Sequence, residues 1–445
     1  MFEKRGLMDF NGVRMVVYKV KEILKDEAVG LEVTLRGWVY RHRVVGKKVF
    51  IVLRDSTNIV QCVIDGALLP KIYSLAEKLG LETSIEVRGR VKKEPRAPTG
   101  YEVEVVELKV SGVSSDFPIK GGEGVDYLLD NRHLWLRSRY LTEVMKIKST
   151  VLKAAREWLT NNGWWETTPP ILTASACEGG ATLFEVKYFD RKAYLSQSAQ
   201  LYLEALIYSL EKVWSLTPSF RAELSRTRRH LTEYWHLELE AAWYTMDDVM
   251  KVSEELVSYI VKRVLEENAD QLQFLKRDTR ILENSTKTPY PRIRYDEAIE
   301  MLQRRGFKIR WGDDFGADEE RVLTEYFDKP FFITHFPKKV KSFYMKLDEE
   351  NPEIALGFDL LAPEGYGEII GGSQREDDYQ KLLNRIIEEG YSIDEYKWYL
   401  DLRKYGSVPH SGFGLGIERL VMWIAGLEHI RDAIPFPRMP GKIYP

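Results

Sequence analysis

Between residues 31 and 110, apolar and polar positions alternate through the runs LEVTLRGWVYRHR, KKVFIVLRDS, IVQCVID, SIEVRGRVKKE and YEVEVVELKV, each bounded by a polar turn. A period of two sends successive side chains to opposite faces, so each run predicts a half-buried strand. Between the third and fourth runs, LPKIYSLAEKLGL has helical spacing. Five strands with a helix inserted there predict a small Greek-key barrel of the OB type, an architecture that binds oligonucleotides. The barrel is placed at residues 1–110.

The pattern then changes. Residues 111–130, SGVSSDFPIKGGEGVDYLLD, are rich in Gly and Ser without a sustained period, and a hinge is expected over 111–137. From 138 to 162, SRYLTEVMKIKSTVLKAAREWLTNN predicts a long amphipathic helix closed by Gly163. Within 138–445, strands are predicted at KAYLSQS, VWSLTPSFRAE, HLELEAAWY, FFITHFP, ALGFDLLAP and GEIIGGSQRE, with helices near 200–212, 246–267 and 376–389. GLGIERLVMWIAG reads as a further helix opening on a Gly-rich turn. The fold class is α+β: an N-terminal OB barrel, a hinge, and a larger body built on an antiparallel sheet flanked by helices.

A length of 445 residues suits two or three domains, and 44% hydrophobic with 30% charged residues suits a packed core rather than a disordered chain. No apolar run approaches the roughly 18 residues of a membrane span, and no apolar block marks a signal peptide, so no membrane association is expected. Only Cys62 and Cys177 occur, which excludes a disulfide framework and a cysteine zinc site and fits a reduced, cytoplasmic setting. The net charge of −3 conceals an asymmetry: residues 1–110 carry 20 Lys+Arg against 15 Asp+Glu, and the rest 45 against 53. A basic module on an acidic body points to a polyanion partner for the first and small-molecule chemistry for the second.

Candidate chemistry lies in three places. In the stretch from Phe220 to Trp235 two strands flank a cationic loop; Arg221 is placed to grip a phosphate and a carboxylate together, and Arg228, Arg229 and His230 to hold further phosphates. The run Gly412-Phe413-Gly414-Leu415-Gly416-Ile417-Glu418-Arg419 does not follow the dinucleotide fingerprint G-x-G-x-x-G. Asp359 and Glu368 sit on predicted strands among apolar neighbours, and acidic oxygens beside phosphate-binding arginines suit Mg²⁺.

Together these residues identify a resemblance. Gly163-Trp164-Trp165-Glu166-Thr167-Thr168-Pro169-Pro170 after the long helix, then Phe220-Arg221-Ala222-Glu223, then Gly412 to Arg419, occur in the order of three signatures of the class II aminoacyl-tRNA synthetases. From about residue 20 onward the chain resembles their aspartate, asparagine and lysine subgroup, most closely the archaeal-type asparaginyl enzymes. The resemblance implies activation of L-asparagine with ATP to an adenylate, transfer to the 3′ end of tRNA(Asn), and a homodimer built on the first signature. Arg221 and Arg419 would be the catalytic residues, Arg221 on the α-phosphate and the amino-acid carboxylate. Tyr234 and Arg419 would sandwich the adenine. Glu223, Asp359 and Glu368 would handle the adenine and Mg²⁺ contacts, Glu368 binding both ATP and the metal with Asp359, and Arg229 and His230 would hold the distal phosphates. Gly371 stands where aspartyl enzymes often carry a metal-contacting Ser, which leaves the number of metal ions open. No covalent enzyme intermediate is needed; positioning and charge stabilisation carry the reaction.

For the amino-acid pocket the resemblance implies Glu178, Gln200, Leu203, Glu238 and Arg375. Residues 173–182, with Cys177, Glu178, Gly179 and Gly180, resemble the lid over the amino acid. Aspartyl enzymes resemble Q-S-P-Q-L-Y-K where this chain has Gln197 to Leu203, so Leu203 is expected to remove the cation that binds aspartate. Glu238 would accept the amide N–H and repel a carboxylate, and Arg375 would donate to the amide oxygen. On the barrel, Phe50 would stack on an anticodon base and Gln61 hydrogen-bond to it, with Arg36, Arg41 and Arg43 on phosphates or a flanking base. The alternatives are an aspartyl enzyme, including one that charges both tRNAs, and a synthetase-like enzyme forming free asparagine.

Overall fold

The computed structural model describes residues 6–8, 14–174, 182–225 and 227–445, and the chain divides into two units, Met1–Leu128 and Leu129–Pro445. In the first, the five alternating runs form β3 (Glu32–Val45), β4 (Lys48–Arg54), β5 (Ile59–Asp65), β6 (Ser84–Lys93) and β7 (Tyr101–Gly112), after β1 (Gly6–Met8) and β2 (Arg14–Tyr18). The sheet runs β1-β2-β3-β4-β5-β7-β6, and β6 returns to pair with β3, closing the barrel. Closure removes exposed edges from the five strands. The helix Pro70–Ala76 lies between β5 and β6. Val33, Leu35, Val49, Ile51, Leu53, Val60, Cys62 and Ile64 fill the interior at every second position. Burial pushes the Cys62 thiol up to about 12, so it stays protonated and inert.

Of the segment 111–137 expected as a hinge, residues from Leu129 onward belong to the second unit. Arg132 is buried there and donates to the carbonyls of Pro435 (2.8 Å), Arg431 (3.0 Å) and Ile434 (2.9 Å). The second unit is built on β8 (Trp165–Glu166), β12 (Lys212–Phe220), β13 (Glu233–Ala242), β14 (Arg292–Arg294), β15 (Phe331–Pro337), β16 (Ile354–Ala362), β17 (Gly367–Gln374) and β18 (His410–Gly416). They form one sheet in the order β14-β15-β16-β17-β18-β13-β12-β8, antiparallel except at its two outer pairs. A small sheet beside it orders β10 (Glu185–Tyr188), β11 (Arg191–Leu195) and β9 (Leu172–Thr173).

The long helix spans Arg139–Asn161. Ser138 caps it by accepting from Leu141 N, and Gly163 beyond its end takes a left-handed φ of +75°, which a side chain would disfavour. Leu141, Val144, Ile147, Val151, Ala154 and Leu159 form its buried stripe, packed with the helices Met246–Glu267 and Ile417–Ala425 in the largest core. Lys148 from the long helix pairs with Glu418 at 2.5 Å, and the same carboxylate accepts from Trp235 N at 2.9 Å. Glu418 is thus a structural tie between helix and sheet.

One expectation is corrected. The glycine run before Ile417 is not a turn opening a helix but the central strand β18. A Cβ on Gly412 would overlap the Glu240 carboxylate, and one on Gly414 the His236 ring. The glycines let side chains from β13 lie across β18, a close approach no larger residue permits.

Candidate functional site

Strands β13, β18 and β17 form the floor of a continuous cleft, and the hairpin joining β12 to β13 supplies its cationic rim. One end, about 560 Å³, is lined by Arg221, Glu223, Arg229, His230, Tyr234, Glu368 and Arg419 among others. The other, about 1000 Å³, is lined by Gln200, Glu238, Glu240, Lys341, Asp359 and Arg375, and both ends share Arg221, His236, Glu368 and Gly414. The residues expected from sequence for ATP therefore converge on the first end, and those for the amino acid on the second, with Leu203 and Glu178 as exceptions.

At the first end Arg221 lies with its guanidinium carbon 5.7 Å from the Tyr234 ring centroid. Arg419 Nη1 donates to Glu368 Oε2 at 2.8 Å and to its carbonyl at 3.1 Å. Arg229 Nη2 donates at 2.8 Å to Glu320, whose carboxylate also accepts from Glu368 N at 2.9 Å. Glu320, on the helix Ala317–Thr324, was not legible as a site residue. Burial and then the neighbouring Arg419 lower the pKa of His230, which favours its neutral form at pH 7.

Asp359 and Glu368 converge from β16 and β17 on either side of Gly371, where a Cβ would stand 3.1 Å from Glu368 Oε1 and 3.7 Å from Asp359 Oδ1. Lys341 Nζ donates to both Asp359 oxygens at 2.9 Å. Burial raises Asp359 to about 7 against the pull of Lys341, whereas in Glu368 the same penalty is outweighed by Arg419 and Lys341, which hold it near 2. Among the described residues no group of three His, Cys, Asp or Glu side chains is placed to hold a metal ion. Two hard carboxylates fit Mg²⁺ when nucleotide phosphates supply further oxygens.

At the amino-acid end Arg375 is almost fully buried, and its Nη2 meets Glu240 at 2.5 Å while Nη1 donates to Ser373 Oγ at 2.7 Å. Burial pushes Glu240 up against the pull of Arg375, with which it forms an ion pair. Glu238 accepts from Ala199 N at 2.8 Å and from the Ser198 hydroxyl. A carboxylate has acceptor capacity beyond two such bonds, so Glu238 can still serve the cavity it lines. Gln200, the first residue of the helix Gln200–Leu210, also lines the cavity.

Leu203 does not line it. It is fully buried against Ala199, Ile207, Val213 and Ala242, because on this helix positions 203 and 207 share the inward stripe while 200 and 204 lie on another side. Its expected contact with the amino acid is therefore corrected to core packing. Glu178, like Cys177, Gly179 and Gly180, lies outside the described residues, which resume at Thr182.

On the barrel the interior positions 49, 51, 60 and 62 alternate with Phe50 and Gln61, so both point away from the interior, but only Phe50 is partly exposed; Gln61, expected to meet a base, is buried at 6% exposure. The Arg43 guanidinium carbon lies 4.6 Å from the Phe50 centroid, Gln61 Nε2 donates to Glu102 at 2.9 Å, and Arg36 Nε donates to Glu86 at 2.7 Å.

Comparison with known proteins places the chain in a family. Residues 124–440 match the family described as tRNA synthetases class II (D, K and N), and residues 33–111 match an OB-fold nucleic acid binding domain. The chain is 60% identical over 422 residues to an asparagine–tRNA ligase of Thermococcus gammatolerans, covering 95% of this chain and 98% of the relative. It superposes with a TM-score of 0.93 and 57% identity on the asparaginyl-tRNA synthetase of Pyrococcus horikoshii complexed with asparaginyl-adenylate, over 97% of this chain and 100% of that one. The Entamoeba histolytica asparaginyl-tRNA synthetase complexed with asparaginyl-adenylate gives 0.85 and 35%, over 95% and 98%. With its second and third signatures on one cleft and the family match covering residues 124–440, this chain belongs to the class II tRNA synthetases of the aspartate, lysine and asparagine group.

Proposed function

We propose that this protein is an asparagine–tRNA ligase that activates L-asparagine with ATP and transfers it to the 3′ end of tRNA(Asn). The observation that carries this reading is 60% identity to asparagine–tRNA ligases across 95% of the chain, together with a pocket that pairs a donor, Arg375, with an acceptor, Glu238. A side-chain amide offers both an oxygen and N–H groups and so matches both; a carboxylate meets repulsion at Glu238.

In the first step the asparagine carboxylate attacks the α-phosphate, forming the mixed anhydride as pyrophosphate leaves. Arg221, shared by both ends of the cleft, is placed to hold the two reacting groups together. Arg419 and Tyr234 would enclose the adenine beside Glu223, and Arg229 and His230 would receive the distal phosphates. Bound Mg²⁺, held by Asp359 and Glu368, would supply neutralisation of phosphate charge. In the second step a terminal ribose hydroxyl attacks the anhydride carbonyl and AMP leaves. The outer barrel face with Phe50, Gln61 and Arg36 would bind the anticodon, Phe50 offering a stacking surface.

A homodimer is part of this proposal, supported by exposed Trp165, Ile171 and Leu172 in and beside the first signature. So is a cytoplasmic setting; among the described residues no helix is long and apolar enough to cross a membrane. ATP–pyrophosphate exchange driven separately by asparagine, aspartate and lysine tests the specificity. Exchange with asparagine alone is expected; exchange with aspartate would overturn it.

A further inference from the structure

Beneath the amino-acid end lies a carboxylate that the reaction does not use directly. Glu204 is fully buried and accepts four hydrogen bonds: Gln200 Nε2 at 3.0 Å on Oε1, and Tyr399 OH at 2.7 Å, Arg403 Nη2 at 2.6 Å and His410 Nε2 at 2.9 Å on Oε2. Burial pushes its pKa up, but Arg403 and His410 pull harder and the net displacement is downward, so it is ionised. Arg403, His410 and Tyr399 are themselves buried, which locks the carboxylate in place.

Only Gln200 of this group reaches the cavity wall. An ionised carboxylate accepts and never donates, so it dictates which way the Gln200 amide points. The NH₂ must face Glu204, and the carbonyl oxygen Oε1 is then the atom offered to the cavity. An acceptor oxygen there complements an ammonium group.

We propose that Glu204 is a positioning residue for the amino-acid substrate: by holding Gln200 Nε2 it presents Gln200 Oε1 as the acceptor for the substrate's α-ammonium group. The inference rests on the reading of the cleft as an amino-acid-activating site. The negative charge at 204 is essential to it. A glutamine there would turn its own oxygen to Tyr399, Arg403 and His410 and its NH₂ toward Gln200, forcing the Gln200 amide to reverse and point its NH₂ at the ammonium.

The test measures asparagine-driven ATP–pyrophosphate exchange in the full-length protein, together with inhibition by succinamic acid, which is asparagine without the α-ammonium group. Glu204→Gln should raise the asparagine KM about tenfold or more, equivalent to about 1.4 kcal/mol, leave the ATP KM within about twofold, and leave inhibition by succinamic acid unchanged. Gln200→Met should raise the asparagine KM comparably, and combining the two should add less than about twofold. An unchanged asparagine KM in either variant, or a parallel loss of succinamic acid inhibition, overturns the proposal. Should Glu204→Gln fail to fold, Glu204→Asp keeps the charge but falls short of Gln200, and the same two readings decide. If exchange runs on aspartate instead, the proposed specificity fails while this inference is read the same way with aspartate and succinate.

Discussion

The two ends of the cleft use the same ion pairs in opposite ways. At the amino-acid end, Arg375 with Glu240 and Arg403 with Glu204 have side chains at most 3% exposed. At the nucleotide end, Arg229 with Glu320 and Arg419 with Glu368 reach 16% and 33% on the carboxylate side. A dry pair cannot be broken without stranding a charge in low dielectric, so it behaves as fixed architecture. A pair partly in water exchanges partners cheaply, and phosphate oxygens can compete for its cation. The difference fits the ligands: a small amino acid must meet donors and acceptors at fixed points, whereas a polyphosphate is held by cations that can be handed over.

The contrast breaks hardest at Arg403. Arg403→Met would leave Glu204 buried without its guanidinium partner, and a stability loss of about 3–5 kcal/mol is expected from denaturant unfolding; a loss under about 1 would place the floor in the same class as the rim. At the nucleotide end the balance reverses. Arg419→Ala is expected to cost less stability than Arg403→Met yet to slow ATP–pyrophosphate exchange about tenfold or more, because the cation that would enclose the adenine is lost. A stability loss like that of Arg403→Met would erase the distinction. Glu320→Gln releases Arg229 for phosphate and should lower the ATP KM about twofold to threefold; a raised KM would show that Glu320 orients the arginine rather than competing for it.

A further effect is a pH dependence. Glu368 lies near 2 when folded and near 4.5 otherwise, so its contribution to stability is fully present above about pH 4.5 and is lost as pH falls through about 2. Glu368→Gln should therefore narrow the stability gap between wild type and variant as acid is added between pH 4.5 and 2. A gap unchanged across that range would mean that Arg419 does not hold the carboxylate ionised.

Much of this was legible in the sequence where one local rule decided the outcome. The helix Arg139–Asn161 follows a single apolar stripe, and the five barrel strands follow simple alternation. The arginines and Tyr234 could be found because their motifs are contiguous. Their partners could not, since Arg375 meets Glu240 across 135 positions and Arg403 meets Glu204 across 199, and a carboxylate on a strand or helix looks the same whatever cation it will face. Strand β18 was misread because glycine ordinarily marks turns, whereas here its lack of a side chain admits those of neighbouring residues. Leu203 was misassigned because a motif gives sequence order but not the rotation of a helix, which turns that residue into the core.

The overlap of a Cβ at Gly412 with the Glu240 carboxylate also constrains how this protein can change over time. A side chain at 412 demands a smaller residue at 240; a smaller residue at 240 strands the guanidinium of Arg375; and Arg375 lines the cleft proposed to take the amino acid. Positions 412, 240 and 375 therefore form one heritable unit, in which a single substitution is penalised and a new amino-acid preference requires coordinated replacement on three strands or loops at once.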